Sequence, residues 1–160
     1  MWSKEKVWGW GRYPTVETLV ARPERLADVK KTLVNRGNEA VLPHGLGRSY
    51  GDSALLSDGR MIRTQRLDRI HAFDPETGWL RCESGVSLKD LVELFVPRGF
   101  FPPVVPGTQY ITVGGAIAND IHGKNHHVDG TFCDHIRAMD VLTASGDIVR
   151  CDQTENTDLF

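Results

Sequence analysis

The chain has 160 residues, enough for one domain with its own core, and its 40% hydrophobic and 25% charged content is ordinary for a globular fold. A formal net charge of −2 gives no basic excess for a broad nucleic-acid surface, and no apolar run reaches the length of a membrane span. Met1-Trp2-Ser3-Lys4-Glu5-Lys6 lacks the apolar stretch of a secretory signal, so the expected location is cytoplasmic.

Trp2, Trp8 and Trp10 with Gly9 and Gly11 read as an irregular aromatic lead-in that packs against the body. Thr18-Leu19-Val20 is a short strand. Pro23-Glu24 opens a helix with proline at its first position. Leu26, Val29, Leu33 and Val34 then form its inner face, and Gly37 stops it. Ala40-Val41-Leu42 is a strand, followed directly by Pro43-His44-Gly45-Leu46-Gly47-Arg48-Ser49-Tyr50-Gly51-Asp52.

That run carries the strongest chemical signal. Glycines let successive backbone N–H groups converge on one point, and such a concavity suits an anion. Arg48 adds a fixed charge with a planar fork for phosphate oxygens, and Tyr50 adds an aromatic face. Together these suggest a nucleotide cofactor. Gly45, Gly47 and Gly51 read G-x-G-x-x-x-G, one residue longer than the dinucleotide fingerprint, with no helix expected after the strand. A Rossmann site is therefore rejected. Taken alone, the loop could also be a glycine-rich surface turn.

Strands are expected at Met61-Ile62-Arg63, at 69–73 and at 79–83, the last two joined by the turn residues Asp74 to Gly78. Ser87 caps a helix with Asp90 in the capping-box position and Leu88, Leu91, Val92 and Phe95 inside; Arg98-Gly99 ends it. Residues 101–106 form a stiff, extended lead to Gly107-Thr108. Thr112 caps a short helix with Gly114 and Gly115 in its first turn, whose free N–H groups would favour a diphosphate. Ala116 and Ala118 leave room for a ligand; the alternative is a tightly packed helix with small residues at a contact. Residues 137–143 and 147–151 make a hairpin across Ala144-Ser145-Gly146. The pattern is α+β.

His44, His122, His126, His127, Asp129, Asp134 and His135 invite a metal reading. Gly123 disfavours a helix that would align His122 with His126, and Lys124 would repel a cation, so no metal is expected. No G-x-S-x-G elbow surrounds Ser49 or Ser53, so hydrolase chemistry lacks support. Cys82, Cys133 and Cys151 fit neither a disulfide framework nor a zinc ribbon and read as reduced structural thiols.

The segments His44 to Asp52, Val105 to Thr108 and Thr112 to His127 resemble the FAD-binding domain of the vanillyl-alcohol oxidase type, and Asp120-Ile121-His122-Gly123-Lys124-Asn125-His126-His127 is the most diagnostic part. The resemblance extends from about Trp10 to Phe160. It implies the N-terminal portion of a two-subdomain FAD-binding domain, with a first subdomain over about 15–105 and the start of a second over 106–160. It implies oxidation of a sugar or sugar-alcohol hydroxyl, on a small-molecule or lipid-linked substrate, with a partner reductase possible. By the same resemblance His44, Gly45, Leu46, Gly47, Arg48, Ser49, Tyr50, Gly51, Asp52 and Ser53 would wrap the diphosphate and adenine side. Gly107, Thr108, Thr112, Val113, Gly114 and Gly115 would contact the diphosphate and the ring, and Asn119, Asp120, Ile121 and His122 would complete that wall. His122 and Lys124 would face the substrate. Many relatives attach the flavin through a histidine in the glycine loop; Arg48 stands at that position here, so noncovalent FAD is expected.

Relatives of this type are longer, and the resemblance marks Leu159-Phe160 as the start of a helix. The expectation is an N-terminal fragment, prone to self-associate, that binds FAD weakly or not at all and has no oxidase activity alone. A folded nucleotide-binding module with no activity of its own is the alternative.

Overall fold

The computed structural model describes residues 1–160. Its α+β architecture begins with a strand that the sequence reading missed. β1 (Ser3–Trp8) pairs antiparallel with β2 (Thr15–Ala21), Val7 opposite Val16. The aromatic lead-in is thus ordered by ladder hydrogen bonds to β2. Only Trp2 packs inward; Trp8 and Trp10 are about half exposed.

α1 (Leu26–Val34) starts three residues later than proline suggested, with Arg25 extended at its N-cap. Residues 22–25 are irregular, so Arg25 rather than Arg22 takes the extended N-cap position. The inner stripe is also narrower than expected. Val29 is buried and Leu33 half-buried, whereas Leu26 is 44% and Val34 78% exposed. Consecutive helical positions are rotated by about 100°, so Val34 turns away once Leu33 faces in.

β3 (Val41–His44) and β4 (Arg60–Arg63) complete a sheet of order β1-β2-β4-β3, with β4 parallel to both neighbours. Side chains alternate across a strand, so Met61 and Ile62 serve opposite faces. Met61 joins Val7 and Val20 on one; Ile62 joins Val29 and Leu67 beneath α1 on the other. No helix follows β3. The glycine loop occupies that place, in keeping with the rejection of a Rossmann turn.

β5 (Ile70–Phe73) and β6 (Leu80–Cys82) form a hairpin whose Asp74 carboxylate accepts from the Glu76 N–H and the Thr77 hydroxyl. α2 (Leu88–Phe95) carries the expected capping box: the Asp90 N–H donates to Ser87 Oγ and the Ser87 N–H to the Asp90 carboxylate. Gly99, at φ 85°, ends the following 3-10 turn. Then come α3 (Val113–Ala118), α4 (His126–Asp129) and the hairpin of β7 (Ala138–Leu142) with β8 (Ile148–Asp152). The largest core cluster is Val86, Leu88, Leu91, Val104, Ala116 and Phe132, drawn from segments 86–104 and 116–132. Near the end, the Phe160 N–H reaches the Asn156 carbonyl, a single turn of helical bonding. No helix is long and apolar enough to cross a membrane.

Candidate cofactor-binding site

β3 ends at His44 and delivers the glycine loop to the edge of the sheet. From Gly45 through Ser53 no backbone N–H donates to any protein acceptor. Buried backbone donors are nearly always paired, so a run of unused donors survives only where solvent or a ligand takes them. Gly47 and Gly51 hold φ values of 64° and 57°, which L side chains rarely adopt. Gln65 Nε2 donates to the Gly45 carbonyl at 2.9 Å and Ser53 Oγ to the Tyr50 carbonyl at 2.9 Å, so side chains pin the loop without consuming its N–H groups. Tyr50, Asp52 and Ser53 are exposed, Leu46 and Ser49 half-buried.

Arg48 bridges this loop to the second predicted segment. Its Nε donates to the Tyr110 carbonyl at 3.2 Å, and its guanidinium lies 5.9 Å from the Tyr110 ring and 5.6 Å from that of Trp10. Gly45 packs on Thr112. The two segments that sequence reading paired are therefore brought together.

The N-terminal arm belongs to the same place, which sequence reading missed. The Trp10 N–H donates to the Ser49 carbonyl at 3.0 Å. A Cβ on Gly9 would sit 2.8 Å from the Ser49 oxygen and 2.9 Å from that of Gly51, so only glycine fits there. The alternation of tryptophan and glycine over 8–11 was the available signal.

The expectation of free donors at the start of α3 is overturned. Thr112 Oγ caps the helix as predicted, accepting from the Gly115 N–H at 3.1 Å. However, the Val113 N–H donates to the Val86 carbonyl and the Gly114 N–H to that of Ser84, both at 2.8 Å. The turn is spent on the segment before α2. A Cβ on Gly114 would lie 2.8 Å from that of Ser84, and Ala116 is fully buried in the core rather than facing a ligand. Close packing, not hydrogen bonding, is what Thr112 to Gly115 can offer a cofactor.

Asn119 Nδ2 turns back to the Gly115 carbonyl at 2.8 Å. Asp120, at φ 39°, accepts from the Cys133 N–H at 3.0 Å, and this bond, with that from Thr131, holds its carboxyl below the usual range. Ile121 is half-buried against the main core. His122 and Lys124 are exposed at the far end of α3, where a Cβ on the intervening Gly123 would come 2.8 Å from the Val105 carbonyl oxygen. Asn125 Nδ2 donates to the Pro103 carbonyl, so this segment rests on the stiff lead before Gly107 and Thr108. No hydrogen bond joins His122 or Lys124 to the glycine loop. The His122 and His126 rings stack edge to face at 5.0 Å, and no group of three or more His, Cys, Asp or Glu side chains is placed to hold a metal ion.

An apolar-cored α+β unit with a glycine loop of unused donors is chemically able to take the phosphates of a nucleotide. The family comparison specifies it: residues 18–152 match the FAD binding domain, and the chain belongs to that family, with FAD as its cofactor. It is 43% identical over 149 residues to decaprenylphosphoryl-beta-D-ribose oxidase of Mycolicibacterium smegmatis, covering 91% of this chain and 32% of that protein. It is 30% identical to L-gulonolactone oxidase of Scyliorhinus torazame (92% of this chain, 34% of the relative) and 31% identical to D-lactate dehydrogenase of Anaerostipes hadrus (84% and 30%). The chain thus spans about a third of the length of the curated relatives it matches.

Proposed function

We propose that this chain is the flavin-holding part of an oxidoreductase that oxidises a sugar or sugar-alcohol hydroxyl, with FAD bound noncovalently and its diphosphate cradled by the loop from Gly45 to Ser53. The observation that carries this is the run of N–H groups without protein acceptors, flanked by Arg48, which forms no ion pair with any carboxylate. Donors fixed by the fold need no reorganisation to meet an anion. When bound, the isoalloxazine ring would accept the hydride of the alcohol. The chain's own residues bind and orient: Arg48 and the loop hold phosphate oxygens, Tyr50 offers an aromatic face, and Lys124 and His122 supply polar groups toward the substrate. Arg48 in place of a linking histidine supports noncovalent attachment.

The reading extends to a domain of the vanillyl-alcohol oxidase type, with subdomains meeting near residue 105, working in the cytoplasm. The name of the 43% identical relative supports a lipid-linked sugar as one substrate class. A partner reductase would reoxidise the flavin. Exposed Phe101, Val128 and Leu159 would favour self-association of the isolated chain.

The test is amide NMR of the chain with millimolar FAD, and with riboflavin, which lacks the diphosphate. FAD should shift the amides of 45–53 while riboflavin leaves them in place. Equal effects of the two, or FAD shifts confined to other segments, would discard the loop as the diphosphate cradle.

A further inference from the structure

A cavity of about 320 Å³ lies between the end of β1 and the underside of the glycine loop. Lys6 and Arg12 line it from the N-terminal arm, His44 and Arg63 from the ends of β3 and β4, and Arg48 from the loop; no carboxylate lines it. Lys6, Arg12 and Arg48 form no ion pair elsewhere in the fold. Arg63 reaches Glu5 at 3.6 Å, but Glu5 is already engaged by Arg22.

Three features show that the cavity is built rather than incidental. His44 is only 5% exposed, yet neither ring nitrogen has a hydrogen-bond partner. The Nε of Arg63 is likewise buried without one. Buried polar groups left unsatisfied are costly, and most folds avoid them. Arg12 is held at φ 60°, a conformation a non-glycine residue adopts at a cost, at the turn where its N–H donates to the Gly9 carbonyl. Orphaned donors, unpaired cations and a strained arginine share one need: an anion.

We propose that this cavity binds a phosphate-class anion, held by Lys6 and Arg12 of the N-terminal arm and by His44 and Arg63 beneath the glycine loop. The proposal deepens the flavin reading and rests on it for the loop's role as a phosphate cradle. The anion is either the diphosphate of FAD itself or a phosphate carried by another molecule. Either source turns the arm from packing into a binding element. His44 reports occupancy. Burial, and then the nearby Arg63 charge, push its pKa down, against a smaller opposing effect of the Gly45 carbonyl. Arg22 and Glu5 are the charges next beyond Arg63, and Arg48 and Lys6 line the same cavity. An anion in the cavity would reverse the balance and raise that pKa.

The test follows the His44 ring by NMR while inorganic pyrophosphate is titrated into the chain, the signal assigned by its loss in His44→Gln. Pyrophosphate should raise the His44 pKa in a saturable way. Lys6→Gln and Arg12→Gly should each weaken pyrophosphate roughly three- to tenfold, the scale of one charge-assisted contact at a partly exposed site. Arg12→Gly also relieves the positive φ, so loss of fold would not explain its effect. Arg98→Gln, remote from the cavity, should change nothing. A His44 pKa indifferent to pyrophosphate, or equal weakening by Arg98→Gln, overturns the proposal. In a second arm, FAD is added first. Competition with pyrophosphate assigns the site to the cofactor's diphosphate; undiminished pyrophosphate binding assigns it to another phosphate. Pyrophosphate moving His44 while FAD leaves residues 45–53 unshifted would sink the flavin reading alone.

Discussion

A Cβ added to Gly45 would lie 2.5 Å from the hydroxyl oxygen of Thr112, closer than any unstrained contact. Two motifs far apart in sequence are therefore interlocked through one hydroxyl, which also caps α3. Gly45→Ala should destabilise the chain by about 1–3 kcal/mol, the usual cost of overpacking. Thr112→Ala should cost about 1 kcal/mol for the lost cap. Because that second change removes the clashing oxygen, the double variant should be more stable than the sum of the single losses. Urea unfolding of the cycle measures the coupling; strict additivity would refute the interlock.

Gly115 and Ser145 separate a constrained from an unconstrained position. A Cβ on Gly115 would meet Thr112 Oγ at 3.1 Å, so Gly115→Val presses on the cap and on the Gly45 contact behind it. Ser145 sits in the β7–β8 turn, exposed. Gly115→Val should weaken flavin binding and Ser145→Val should not, measured by the flavin each variant retains in equilibrium dialysis against millimolar FAD. Equal retention would move the site elsewhere.

The pH dependence of stability should carry a mark from His44. Its pKa in the fold lies below the ordinary value of 6.5, because burial and Arg63 disfavour the charged ring. The unfolded chain therefore takes up the proton first on acidification. The stability this neutral ring contributes is fully present above 6.5 and is lost as pH falls through the lower folded value. His44→Gln should flatten the fall in urea midpoint between neutral pH and pH 5; an unchanged slope would show that His44 is not responsible.

The thiols should be slow to react. Burial pushes Cys82 up to about 11, and burial with the Asp120 side chain does the same for Cys133; Cys151 is fully enclosed. Only thiolate attacks, so native protein at pH 8 should react with a disulfide reagent far more slowly than unfolded protein. Rapid labelling of all three in the native state would contradict this packing.

Noncovalent attachment predicts that acid precipitation of FAD-loaded protein releases all yellow colour into the supernatant. Flavin remaining with the pellet would show that another residue forms the link Arg48 cannot.

The features legible in the sequence were those set by neighbours along the chain. Ser87 with Asp90, Thr112 before two glycines, and the hairpin turn at 144–146 depend on local hydrogen bonds and backbone freedom. The glycine loop after β3 was legible for the same reason, since its unused donors follow from its local conformation. What the tertiary structure decided depends on partners far away. β1 forms because β2 supplies its ladder, whatever the weak pattern of Ser3 to Trp8 suggests. The first turn of α3 loses its donors because Ser84 and Val86 turn their carbonyls toward it. Gly9 reads as a flexible spacer until the Ser49 and Gly51 carbonyls close on it. A local pattern can state which groups a segment has to offer; only long-range packing determines which are already taken.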